Sequence, residues 1–140
     1  MQVFIKQVDY RNPSDAADLV RMLRPYAELE NCDRPELSGL AGELSGFPTA
    51  FSLLAYSDSN WEDVIGLVNC FFGFSTFEMR KLVNIHDVFV ADRYRGRQVA
   101  AAMLAEVERI ARANDCCRLT LEVYADNGSA LLAYRTYGFS

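Results

Sequence analysis

The hydrophobic period changes twice between residues 82 and 125, and this constrains the fold more than any other feature of the chain. Residues 82–90, LVNIHDVFV, are apolar except for Asn84, His86 and Asp87, as in a strand buried within a sheet. From about 97 to 113 the apolar residues Val99, Ala100, Met103, Leu104, Val107, Ile110 and Ala111 recur at helical spacing instead. Glu106, Glu108, Arg109 and Arg112 face away from that stripe. Residues 118–125, RLTLEVYA, alternate, with Leu119, Leu121, Val123 and Ala125 on one side. Strand, helix and strand in this order make a parallel pair joined by a right-handed crossover.

The rest of the chain fits around that unit. Residues 2–8 alternate as a first strand. Asn12-Pro13-Ser14-Asp15 opens a helix whose apolar residues include Ala16, Leu19, Val20, Met22, Leu23 and Tyr26. A polar stretch over 28–38 leads into a short helix at roughly 36–45. Residues 48–57 and 63–73 read as two strands around Asp58-Ser59-Asn60. Asp126-Asn127-Gly128-Ser129 caps a final helix that ends at Gly138. Without repeats or linkers, 140 residues make one α/β domain with a mixed sheet.

Composition narrows the function. The net charge of −5 disfavours nucleic-acid binding, which needs a basic face, and is compatible with an amine-bearing substrate. Glu28, Glu30, Asp33, Glu36 and Glu43 are either an acidic rim that attracts an amine or a solvated loop face. Cys32, Cys70, Cys116 and Cys117 form no C-x-x-C pair, and His86 is the single histidine, so no structural metal site is expected. Free thiols in a reducing cytoplasm are expected instead. The first residues do not read as a signal peptide, and no apolar run reaches the ~20 residues of a membrane span.

The link between residues 90 and 99, with Arg93, Arg95, Gly96 and Arg97, is the chemically pointed segment. It lies between a buried strand and a helix start, where unpaired amides and the helix dipole suit a phosphate. Gly96 allows close approach to the backbone, and the arginines add donors. The pattern is neither GxGxxG nor a P-loop. Locally it reads equally as an anion site or as a solvated basic turn.

Val88-Phe89-Val90 followed by Arg93-Tyr94-Arg95-Gly96-Arg97-Gln98-Val99-Ala100 resembles the cofactor motif of the GNAT N-acetyltransferases, Gln/Arg-x-x-Gly-x-Gly/Ala after a strand. Asn127-Gly128-Ser129-Ala130 and Tyr134-Arg135-Thr136-Tyr137-Gly138-Phe139 resemble the family's Asn-x-x-Ala and Tyr-x-x-x-Gly-Phe signatures. The resemblance covers about 63–139. It implies a mixed, mostly antiparallel sheet with a central parallel strand pair that splays apart, flanked by helices. It also implies acetyl transfer from acetyl-CoA to a primary amine of a small molecule, such as a polyamine or an amino-acid-like amine, or of a protein. The pyrophosphate would rest on the turn, Arg93 and Arg95 to Ala100, and the pantetheine on the backbone of Val88 and Val90. Asn127 and Ala130 would contact the cofactor, and Tyr134 would protonate the departing thiolate.

Two departures from the family stand out. Gln98 occupies a position where the family has glycine or alanine. Its side chain either crowds the pyrophosphate or points outward and leaves the amide usable. The family also continues past Gly-Phe with one more strand, whereas this sequence stops at Ser140, so that strand is expected to be absent. An open sheet edge, or pairing into a homodimer, would follow.

His86 is the candidate base that would activate the amine. In a regular strand it would share a face with Val88 and Val90, while Asp87 would join Ile85 and Phe89 and bond loop amides. A hydrogen-bonded core histidine is the alternative. Glu122 either meets the substrate or faces solvent. Phe71, Phe72, Phe74 and Phe77 are expected in the core rather than in a site, and the resemblance implies that Phe74-Ser75-Thr76-Phe77 turns near the acceptor pocket. The rival functions are a non-catalytic acyl-CoA-binding module and, more weakly, nucleic-acid binding through the arginine turn.

Overall fold

A computed structural model describes residues 1–29 and 35–121. Strands β1 (Phe4–Gln7), β2 (Ala50–Tyr56), β3 (Val64–Ser75), β4 (Arg80–Val90) and β5 (Leu119–Leu121) form one sheet in chain order. The first three pairings are antiparallel and β4 with β5 is parallel. This is the mixed, mostly antiparallel sheet expected. Parallel pairing runs from Val83 opposite Leu119 to Ile85 opposite Leu121. The part of β4 that carries Val88 and Val90 extends beyond the last described residue.

Helices cover both faces. Helix α1 (Pro13–Leu29) starts as its sequence directs: Asn12 Oδ1 accepts the Asp15 amide at 3.0 Å, and Pro13 occupies the first turn, where no donor is needed. A 3-10 turn over Pro35–Gly39 and the short helix α2 (Leu40–Ser45) follow. The two lie where one short helix was expected. Leu19, Met22, Leu23 and Ala41 pack on Leu54, Tyr56, Leu67 and Phe89.

Helix α3 (Val99–Ala113) covers the opposite face. Its stripe of Val99, Met103, Leu104, Val107 and Ala111 packs on Ile65, Val68, Cys70, Val83, Ile85 and Val88. Gly66 permits the close approach: a Cβ there would meet Met103 Cε at 3.0 Å and Val99 Cγ1 at 3.2 Å. Among the described residues, no helix is long and apolar enough to cross a membrane.

Two expectations need correction. Phe74 and Phe77 are not core residues: both are exposed near the tip of the β3–β4 hairpin, Phe77 almost completely. Strand β4 is also not regular. Asn69 pairs with Asp87 and Cys70 with Ile85, so His86 is the extra residue of a β-bulge.

Candidate active site

The bulge changes which residues share a face. Ile85, Val88 and Val90 all turn toward α3, although Ile85 and Val88 are three residues apart. Phe89 turns toward α1. Asp87, two residues from Phe89 and flanked by Val88, therefore does not share a face with Ile85 as a regular strand would require. His86 is exposed, with its ring edge-on to Phe71 at 5.7 Å between centroids. It is thus not the buried core histidine of the alternative reading.

Asp87 is half-buried, and among the described residues it bonds no loop amide. Its Oδ2 accepts from Asn69 Nδ2 at 3.0 Å. Asn69 Oδ1 accepts from Ser52 Oγ at 2.6 Å, and Ser52 Oγ lies 2.7 Å from the Tyr10 hydroxyl. Burial, above all, raises the Tyr10 phenol above its ordinary range, so it stays a donor at neutral pH. Burial first, and the Asp87 charge second, push the Cys70 thiol well up, which leaves it inert as a nucleophile. Tyr10, Ser52 and Asn69 were not anticipated from sequence. The available signal was a serine and an asparagine inside otherwise apolar strands, where an unbonded polar group is costly.

Past Val90 the chain makes a 3-10 turn over Asp92–Tyr94 and then enters α3. Gly96 has φ +75° and Gln98 has φ +69°. The second value explains the departure at Gln98. The turn needs the left-handed conformation there, which glycine adopts without cost and glutamine adopts at about 1–2 kcal/mol. The Gln98 side chain is exposed and caps nothing. The start of α3 therefore has no side-chain cap and faces outward.

The three arginines differ in their partners. Arg93 is 3.2 Å from Asp63 Oδ1, and the Tyr94 hydroxyl donates to Asp63 Oδ2 at 3.0 Å. Arg95 donates to the Val90 carbonyl at 3.2 Å and pairs with Asp92 at 3.3 Å. Arg97 stacks over the Tyr94 ring at 5.7 Å and makes no ion pair among the described residues. Such exposed pairs are worth at most about 1 kcal/mol, so Arg93 and Arg95 can exchange a carboxylate for a phosphate. Val99 is buried and Ala100 half-buried against the core, which leaves their backbone as the part available to a ligand. Tyr134, Asn127, Ala130 and Glu122 lie outside the described residues, and the side chains of 28–36 do too; Glu43 is exposed.

Comparison with known proteins follows the same outline. The family model for the acetyltransferase (GNAT) family matches residues 16–139. Thialysine N-epsilon-acetyltransferase of Mus musculus is 28% identical over 134 residues, which is 89% of this chain and 78% of that protein. The ribosomal-protein-alanine N-acetyltransferase of Brucella melitensis biovar Abortus 2308 superposes with a TM-score of 0.81 at 20% identity, over 99% of this chain and 92% of that one. A predicted acetyltransferase of Clostridium acetobutylicum, solved with acetyl-CoA, gives a TM-score of 0.73 at 16% identity, over 99% and 90%. At these identities the two structures share the fold.

Proposed function

The chain belongs to the acetyltransferase (GNAT) family, and on that premise we propose that it acetylates a primary amine of a small molecule, a polyamine or an amino-acid-like amine, by direct attack. Acetyl-CoA is its co-substrate. The observation that carries this reading is the turn before α3, where two left-handed residues, Gly96 and Gln98, precede a helix start without a side-chain cap. That shape and charge fit a pyrophosphate. Acetyl-CoA supplies the thioester carbonyl and the thiolate leaving group.

The chain's own residues then have distinct tasks. Arg97 and the backbone of residues 95–100 hold the anion, with Arg93 and Arg95 in support. The backbone of Val88 and Val90 holds the extended arm of the co-substrate, and an amide near Val88 polarises the carbonyl. His86, lifted out of the strand by the bulge, takes the proton from the attacking ammonium. Tyr134 gives a proton to the thiolate, and Asn127 and Ala130 line the cofactor path; this part rests on the motif alone. The acceptor being a cation agrees with the net charge of −5. The free thiols of Cys70, Cys116 and Cys117 support a reducing, cytoplasmic setting.

The test begins with calorimetric titration of acetyl-CoA, followed by thiol release with spermidine, thialysine and lysine. One-to-one binding and CoA release are expected. Binding without release from any amine would leave an acyl-CoA-binding module in place of the enzyme. Replacing His86 with Gln should lower kcat by about 100-fold at neutral pH, the lower range for a positioned base. The loss should shrink toward pH ~10, where a primary amine needs no base. An equal loss at every pH removes His86 as the base.

A further inference from the structure

The hydrogen bonds that cross the α1 face of the sheet all point one way. Ser52 and Asn69 are register partners on β2 and β3, and Asn69 and Asp87 are register partners on β3 and β4. The single hydroxyl hydrogen of Ser52 goes to Asn69 Oδ1 at 2.6 Å. Ser52 must therefore accept from Tyr10, 2.7 Å away. Asn69 in turn gives its Nδ2 hydrogen to Asp87 Oδ2 at 3.0 Å. Reversing the Asn69 amide would put its carbonyl against a carboxylate, so only one orientation satisfies the chain. Each donor polarises the next, and the chain ends on a charge.

Ser52 is fully buried and Asn69 is 5% exposed, within strands that are otherwise apolar. Two apolar residues there would hold the sheet equally well. What they would not do is fix the rotamer of Asp87, which stands next to the bulged His86 and one residue before Val88. We propose that Tyr10, Ser52 and Asn69 are positioning residues that aim the Asp87 carboxylate at a cationic group of the acceptor, and so select amines that carry a second positive charge. This rests on the transferase reading. The neutral amine attacks while Asp87 holds the other, still protonated, nitrogen.

The experiment compares spermidine with n-butylamine, which has a single nitrogen, in wild type and in Asn69→Leu, Ser52→Ala and Tyr10→Phe. Wild type should prefer spermidine in kcat/KM. Asn69→Leu should reduce kcat/KM for spermidine by about 10-fold or more, the scale of a hydrogen bond to a charged group. It should leave n-butylamine and the KM for acetyl-CoA unchanged. The loss should fall along the chain, smallest for Tyr10→Phe, and Ser52→Thr should recover what Ser52→Ala loses. Equal losses for both amines, or a parallel change in the KM for acetyl-CoA, overturn the proposal. If Asn69→Leu does not fold, Tyr10→Phe decides by the same ratio of the two amines. Absence of CoA release in wild type would sink the transferase reading instead. Spermidine titration of wild type against Asp87→Asn and Asn69→Leu then decides: unaltered affinity in either overturns the proposal, and weakened affinity in both upholds it.

Discussion

The two faces of the sheet are built from the same strands and use opposite chemistry. On the α3 face Val99, Met103, Leu104, Val107, Ile110 and Ala111 meet strand residues that are apolar throughout. On the α1 face lie four of the buried polar residues, Asp15, Asp18, Ser52 and Asn69. Asp15 pairs with Lys6 at 2.5 Å and accepts the Asp9 amide at 2.9 Å; Asp18 accepts from the Tyr56 hydroxyl at 2.6 Å. An apolar face tolerates small shifts in register, because dispersion has no direction. A hydrogen-bonded face does not, because each bond specifies an angle as well as a distance. The molecule therefore uses α3 to support β4 and the α1 face to orient what β4 displays.

The largest effect that would sharpen this contrast is on stability. Met103 is fully buried against Gly66 and Val99, and Met103→Ala should cost about 2–5 kcal/mol in urea unfolding. The ratio of kcat/KM between amines should not change in the folded fraction. A shift in amine preference without a loss of stability would break the division between the faces.

Alkaline unfolding separates the faces by their titrating groups. Cys70 and Cys116 belong to the α3 side, and burial raises both thiols. Tyr10 and Tyr56 belong to the α1 side and are raised too, Tyr56 first by burial and then by its bond to Asp18. A raised acid keeps its proton in the native state after the unfolded chain has lost it. Stability is thus complete below the unfolded pKa and falls as pH rises above it. The fall should start near pH 8.5, where free thiols ionise, and steepen near pH 10, where phenols do, at about those values. Cys70→Ala should flatten the first stage and Tyr56→Phe the second, as followed by melting temperature. If the two variants flatten the same stage, the assignment of the first stage to buried thiols and the second to buried phenols is wrong.

The smallest effect is at the turn. Gln98→Gly removes about 1–2 kcal/mol of left-handed strain and adds about 0.5–1 kcal/mol of unfolded-state entropy. The net gain should lie between zero and about 1.5 kcal/mol, read by melting temperature, with acetyl-CoA affinity retained by calorimetry. Gln98→Ile, β-branched at a positive φ, should lose stability. If Gln98→Gly gains nothing and Gln98→Ile loses nothing, the turn does not require that conformation.

Much of this was legible in the sequence. The order of strands and helices follows from local periodicity, and Asn12-Pro13 marks the start of α1 through chemistry confined to one turn. The turn before α3 was legible because Gly96 and the arginines lie within five residues of one another. The Asp63 clamp on Arg93 and Tyr94 was not, since it joins residues 30 and 31 positions apart.

The sequence by itself thus determined the elements, their order and the glycine-bearing turn, because each depends on residues within one or two turns of the chain. Only the tertiary structure decided that His86 is displaced from its strand, since a bulge is a property of two strands in register. It also decided that Tyr10, Ser52, Asn69 and Asp87 form one chain. Successive members are 42, 17 and 18 residues apart, and only the pairing of β2, β3 and β4 brings them within hydrogen-bond distance.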